Sequence, residues 1–315
     1  PLVLTPGLEK KPRATVEEVY TQINIDLTDA IAALSAATPR INKSHLNVNV
    51  AQGVRARVAL TQQNWATAIT AAQAARAGAT LMTPAQLLSG FNDYNNSEWI
   101  WGSHQQADQQ TYFYSLFAYN SNFSSTNTRG NPKAINSLLY NSMSATDARR
   151  GLWDPTGANL TFPIPAGGLR KPFMSRKFLI EPSGGGISIG DVPLMRAAEM
   201  YLIEAEAQAR NLNDVGAATA LFAFQSKRDP SYVLSTNTGA ALITEIMNSR
   251  RVELWGEGFR FYDLKRLDLP LDRTGANHDP NVAVILTLPA GDVQWQFLIP
   301  KTEIDANPAV IQNPL

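Results

Sequence analysis

Apolar side chains recur at helical spacing over residues 15–34, where Val16, Val19, Tyr20, Ile23, Leu27, Ala30, Ile31 and Leu34 share one face. Thr15 followed by Glu18 has capping-box spacing, and Pro39 lies shortly beyond the end. Two more helices are predicted over 49–61 and 64–77. Val50, Val54, Val58 and neighbouring alanines line the first. Trp65, Ala68, Ile69, Ala72 and Ala75 line the second, with Gly78 as its stop. Helical periodicity disappears over 79–190. Asn, Ser, Gly, Pro and aromatics dominate there and predict short helices and strand pieces joined by long loops, a kind of segment that is usually functional when ordered. Periodicity returns over 194–210 through Leu194, Ala198, Tyr201, Leu202, Ala205 and Ala209. A further helix starts at Asn213 or Asp214 and runs to about Lys227, with Leu221, Phe222 and Phe224 as its large apolar side chains, and another covers roughly 240–255. The Pro- and Asn-rich tail, 269–315, is predicted to wrap the surface.

Two helices joined by a short turn, with small residues at the contact and one large aromatic, predict a tetratricopeptide-like unit. The expected fold class is mostly α: tetratricopeptide-like helical hairpins with a long loop-rich insertion carrying short strands and helices. Helical segments flank the insertion on both sides, which predicts one domain over 1–315. Its parts are a helical scaffold at about 13–80 and 191–268, a loop-rich ligand-binding region at about 81–190, and the tail 269–315.

The 315 residues are 44% hydrophobic and 17% charged, as expected for a folded chain with a sizeable core. Lys+Arg and Asp+Glu both number 27, so there is no basic excess of the kind a general nucleic-acid binder needs. No apolar run approaches the roughly 18 residues of a membrane-spanning helix. The absence of cysteine excludes disulfides, thiolate metal sites and cysteine nucleophiles. The chain starts at Pro1 rather than at Met and no signal peptide precedes it; any targeting segment or lipid-bearing cysteine is expected to have gone with the natural start, so the absence of an anchor here is no evidence of a cytosolic protein.

The run 250–266 carries Arg250, Arg251, Glu253, Glu257, Arg260 and Asp263 among aromatics. Charges at this density inside a core must be paired, so they are expected to satisfy one another and the helix ends. Glu199, Glu204 and Glu206 have the spacing of helix-face ion pairs, with Arg196 three residues before the first and Arg210 four after the last. Neither set forms a glycosidase carboxylate pair. Gly186-Ile187-Ser188-Ile189-Gly190 matches a nucleophile elbow, but Asp191-Val192-Pro193 separates it from the next helix, which makes the match a chance one. No phosphate loop or zinc helix is present, and His45, His104 and His278 are scattered, so no cofactor or metal is expected.

The best binding candidates lie in the loop-rich region. Trp99, Trp101, Tyr112, Tyr114, Phe117, Tyr119 and Phe123 are interleaved with Asn92, Asp93, Asn95, Asn96, Gln105, Asn120 and Asn122. Aromatic planes match the apolar faces of sugars, and amides match their hydroxyl rims. Trp99, Trp101, Tyr112, Tyr114, Phe117, Tyr119, Asn120 and Asn122 form the candidate site. Glu98-Trp99-Ile100-Trp101 also reads as a strand with alternating faces. For each aromatic taken singly, burial in the core is at least as well supported as ligand contact.

Four segments resemble the SusD/RagB family of Bacteroidetes outer-membrane nutrient-binding lipoproteins. They are Arg13-Ala14-Thr15-Val16-Glu17-Glu18-Val19-Tyr20; the 51–60 helix with Asn64-Trp65-Ala66; the run from Pro193 to Ala207; and 250–266, with its RR-x-EL-x-x-EG-x-R-x-x-DL-x-R pattern. The ending, Leu298-Ile299-Pro300-Lys301 through Asn313-Pro314, is similar too. The resemblance implies a surface lipoprotein that binds oligosaccharide without cleaving it and delivers it to a TonB-dependent, SusC-like outer-membrane transporter. It also implies a missing N-terminal portion with the lipid anchor as the sole membrane attachment, and no nucleic-acid partner. Peptide or other nutrient binding by the same architecture, a helical-repeat protein-interaction scaffold and a hydrolase are the alternatives.

Overall fold

Capping sets the start of the first helix, α1 (Val16–Ala36): Thr15 Oγ1 accepts from the Glu18 backbone N–H, and Glu18 Oε2 accepts from Thr15 N at 2.7 Å. The computed structural model describes residues 1–7, 9–38, 40, 42–106, 116–122, 132–162, 164, 168–180 and 190–314. The predicted stripe of α1 is half-buried from Val19 to Leu34, whereas Val16 stays 73% exposed. The helix rests on α2 (Val48–Thr61), with Asn24 donating to Gln62.

Asn47 and Asn64 cap α2 and α3 (Trp65–Ala75) by accepting from backbone N–H groups. The two form the predicted hairpin. Their contact is built from Ala56, Ala59, Ala68, Ala71, Ala72 and Ala75, all buried, and this lets the backbones approach closely. Gly53 belongs to the same close packing, because the sulfur of Met195 occupies the space that a β-carbon there would need.

The segment predicted to be helical from 194 instead begins as a strand. Antiparallel β1 (Trp99–Ser103) and β2 (Val192–Arg196) pair Trp99 with Arg196 and Ser103 with Val192. Pairing with β1 holds 192–196 extended, and α4 (Ala197–Arg210) starts only after Arg196, at φ −130 and ψ 152. Helix α4 packs against α3, against α5 (Asp214–Gln225) and against α6 (Gly239–Glu253). A short helix α7 (Phe259–Arg266) follows. One apolar cluster joins α2, α3 and α4; a second joins α4, α5 and α6. A third lies in the loop-rich region around Phe91, Trp99, Phe117, Tyr140, Trp153 and Phe178. The mostly α, tetratricopeptide-like expectation therefore holds, with short strands in the insertion.

Because α4 is buried on most sides, its three glutamates need cations from other elements. Glu199 accepts from Arg57 Nε at 2.7 Å, and Glu204 pairs with Arg76. Glu206 takes Arg266 at 2.6 Å as well as the expected Arg210 at 2.8 Å. The expected Arg196–Glu199 pair does not form. Arg196 stands in the strand before α4 and turns to Glu98, Glu253 and Glu257 instead.

The 250–266 run likewise satisfies itself only in part. Asp263 accepts from Arg250 and Arg266 at 2.9 Å each. Glu253 and Glu257 are paired from outside the run. Glu253 accepts from Arg196 Nη1 at 2.9 Å and from Arg228 Nη2 at 3.0 Å, with Arg149 Nη1 at 3.5 Å. Glu257 accepts from Lys177 Nζ at 2.6 Å and Arg196 Nε at 2.9 Å. Glu98 completes the network with Arg228 at 2.7 Å and the Met82 backbone N–H at 2.6 Å. Glu98, Arg149, Lys177, Arg196, Arg228 and Glu253 are at most 2% exposed.

Removing one partner of such a network leaves the others charged and buried. Glu253→Gln is expected to cost about 3–5 kcal/mol, measured by urea unfolding. Burial raises the Glu253 carboxyl, but Arg228, Arg196 and Arg149 outweigh it and hold the group well below the usual carboxylate range. Burial likewise opposes the lowering of Glu257, which Arg196 and Lys177 produce. A depressed folded pKa gives stability that is fully present above the ordinary value of 4.5 and is lost as pH falls below it. Unfolding free energy is therefore expected to drop steeply under pH 4.5 in the wild type, and less steeply in Glu253→Gln.

Candidate functional site

The strand carrying Trp99 and Trp101 runs between two apolar clusters. Trp99, 1% exposed, belongs to the loop-region cluster, and Ile100 to the cluster of α2, α3 and α4. Register shifts on both sides of Trp101 disturb simple alternation, and Trp101 is half-buried against the cluster that holds Ile100. Gly102 follows because the Trp99 ring lies where its β-carbon would be, 2.7 Å from the nearest ring atom. The Gly102 N–H donates to the carbonyl of Lys43 at 3.0 Å. The Lys43 ammonium donates to the carbonyl of Asn96; burial lowers its pKa against the attraction of Asp93.

Beyond β1, Asp191 organises the surface. Its carboxylate accepts from the Tyr94 and Gln105 backbone N–H groups at 2.9 and 2.8 Å and pairs with His104 Nδ1 at 2.9 Å. The His104 and Tyr94 rings sit 4.5 Å apart at 42°. Gln105 donates to the Ser103 hydroxyl at 2.8 Å. This leaves an imidazole and a phenol ring side by side, with the imidazole 41% exposed.

A short helix, Leu116–Asn120, carries the next candidates. Phe117 points inward, fully buried, and meets Phe178 edge-on with centroids 6.3 Å apart. Tyr119 points outward and is 48% exposed. Asn120 is half-buried, and its amide donates to the Leu116 carbonyl. Asn122, 4% exposed, donates to the carbonyls of Lys133 and Ser175 and accepts from Lys133 N, which consumes its amide in tying loops together.

The structure thus divides the candidates. Trp99, Phe117 and Asn122 serve the core, because packing or backbone hydrogen bonds occupy their whole side chains. Trp101, Tyr119 and Asn120 keep exposed surface. Tyr112, Tyr114 and Phe123 lie outside the described residues, as does the elbow-like 186–189. The Tyr94–His104 stack and Asp191 were not anticipated; the interacting His104 and Asp191 are 87 residues apart and carry no shared sequence signal. Among the described residues, no three or more His, Cys, Asp or Glu side chains gather as a metal site. No helix among them is long and apolar enough to cross a membrane.

A model of the SusD family matches residues 48–315. The chain belongs to the SusD family. Similar solved structures include a SusD-like carbohydrate binding protein from Bacteroides vulgatus, 24% identical, covering 96% of this chain and 67% of that one with a TM-score of 0.78. A SusD superfamily protein from Bacteroides thetaiotaomicron is 23% identical over 100% of this chain and 70% of its own, with a TM-score of 0.82. A laminarin binding SusD-like protein is 22% identical over 96% and 69%, with a TM-score of 0.65. At these identities the likeness is one of fold. No curated protein matches the chain.

In this SusD family member the Gly102–Trp99 contact couples the candidate surface to the core. Gly102→Ala is expected to push the indole off its seat and cost about 1–3 kcal/mol, read as a fall in melting temperature.

Proposed function

We propose that this chain binds oligosaccharide or polysaccharide without cleaving it, and delivers it to a TonB-dependent outer-membrane transporter. Membership of the SusD family over residues 48–315 carries the reading. The carbohydrate- and laminarin-binding descriptions of similar structures support it. So does the surface chemistry. Trp101, Tyr119 and the Tyr94–His104 pair offer ring faces, and Asn120 and Gln105 offer amides beside them. Such rings take the C–H faces of a sugar, and amides take its hydroxyls.

The helical scaffold, loop-rich region and tail act together as one ligand-presenting unit. It sits at the cell surface, held to the outer membrane by a lipid anchor outside the present sequence. No step of bond cleavage is assigned to any residue; the buried glutamates, for their part, are committed to arginines and a lysine.

Calorimetric titration with neutral glucans, laminarin-derived oligosaccharides among them, and with short peptides tests the reading. A glucan is expected to bind, and Trp101→Ala and Tyr119→Ala should each weaken it about tenfold, the equivalent of roughly 1.4 kcal/mol of lost stacking. Trp99→Ala should instead lower the melting temperature. Binding confined to peptides would replace the sugar by another nutrient, and release of reducing sugar by the purified chain would sink the non-catalytic assignment.

A further inference from the structure

The last turn of α6, the bend 254–258, the first turn of α7 and the strand piece Leu271–Asp272 line an open cavity of about 530 Å3. Its charge is lopsided. The guanidiniums of Arg250, Arg251, Arg260 and Arg273 face only two carboxylates, Asp263 and Asp272. Both are already engaged. Asp263 accepts from Arg250 and Arg266, and Asp272 accepts from the Thr274 hydroxyl and N–H at 2.7 and 2.8 Å.

The guanidiniums are not equally satisfied. Arg250 is 3% exposed, yet its Nη1 has no hydrogen-bond partner. Arg251 reaches only Asn248 Oδ1, at 3.5 Å. Arg260 and Arg273 make no side-chain hydrogen bond or ion pair among the described residues. Burial and then the neighbouring Arg251 draw Arg260 down to about 10, so it remains charged at neutral pH. Burial, with Arg273 beside it, also lowers the pKa of His278, whose Nδ1 has no partner.

The backbone adds to the same field. Gly258, at φ 89, is the N-cap of α7 and provides no side-chain acceptor for the first-turn N–H groups. That turn, Gly258 to Phe261, is part of the cavity wall. A helix N-terminus attracts anions, and guanidiniums grip planar or tetrahedral oxyanions with two parallel hydrogen bonds. Crowded arginines lacking counter-charge are costly, and an incoming oxyanion relieves that cost. Trp255, Phe259 and Phe261 supply apolar and ring surface on the same wall.

We propose that this cavity binds the oxyanion of an acidic saccharide, either a uronate carboxylate or a sulfate ester. The ligand class rests on the carbohydrate reading, but the residues do not. None of Trp101, Tyr119, Asn120 or the Tyr94–His104 pair lines the cavity, so the two sites fail or stand separately. The Arg251 and Arg260 guanidiniums hold the oxyanion, with the buried, part-satisfied Arg250 charge behind them, and the aromatic wall takes the sugar ring.

Calorimetric titration of the full chain with trigalacturonate, a sulfated galactose tetrasaccharide and neutral laminaritriose tests this. At least one acidic probe is expected to saturate a single site, and the one that does identifies the oxyanion. Arg251→Gln with Arg260→Gln should weaken it at least tenfold, and raising salt should weaken it further. Should the double variant melt early, Arg260→Gln alone, which breaks no hydrogen bond or ion pair among the described residues, is expected to weaken binding at least threefold. The same variants should leave any laminaritriose binding unchanged, which separates this site from the neutral-glycan surface. Failure of both acidic probes to bind, or wild-type affinity for them in the variants, would overturn the proposal.

Discussion

Burial of Glu98 and Glu253 against Arg196 and Arg228 is the constraint on which the rest of the structure depends. Glu253 ends α6, Arg196 precedes α4, Glu98 precedes β1, and Arg228 follows α5. One set of hydrogen bonds therefore fixes where several elements start and stop. Isolated buried ions are destabilising, and a well-packed apolar substitute is often at least as stable. What the network adds is geometry: each guanidinium is held by two or more acceptors, so the elements meet in one register.

The same network anchors the loop-rich region to the helices. Arg149 joins it through Glu253 and Asp147, and Lys177 donates to Glu257 and to the carbonyls of Glu253 and Trp255. Those loops have few helical contacts of their own, and they acquire a fixed position by lending cations to the end of α6. The loops around Trp101, Tyr119 and the Tyr94–His104 stack are thus held by charge as much as by apolar packing.

The legibility of the chain follows from the range of each interaction. Helices α2, α3 and α5 are legible because apolar spacing, with a stop at Gly78 and a start at Asn213, acts within a few residues. The strand before α4 escaped notice, because its alternation merges with the helical stripe and only pairing with β1, far away in sequence, makes it extended. Ion partners were legible at i+4, as for Glu206 and Arg210, but not across the 142 residues between Arg57 and Glu199. The aromatic candidates were read as a group, and their division into core and surface was not. A strand wedged between two clusters has no free face to infer from alternation, which is why Trp99 sank into the core while Trp101 kept an edge.

The 250–266 run shows how one stretch of sequence serves two ends. Its acids, Glu253, Glu257 and Asp263, all point to cations in the protein and are saturated. Three of its bases are not: Arg250 keeps an unpaired Nη1, Arg251 has one long hydrogen bond, and Arg260 has none among the described residues. A brace alone would gain most from balanced pairing. Here, cations imported from Arg149, Lys177, Arg196 and Arg228 neutralise Glu253 and Glu257 and so release Arg251 and Arg260 from that duty. The surplus positive charge then collects at the α6–α7 bend, beside an uncapped helix N-terminus and three aromatic rings.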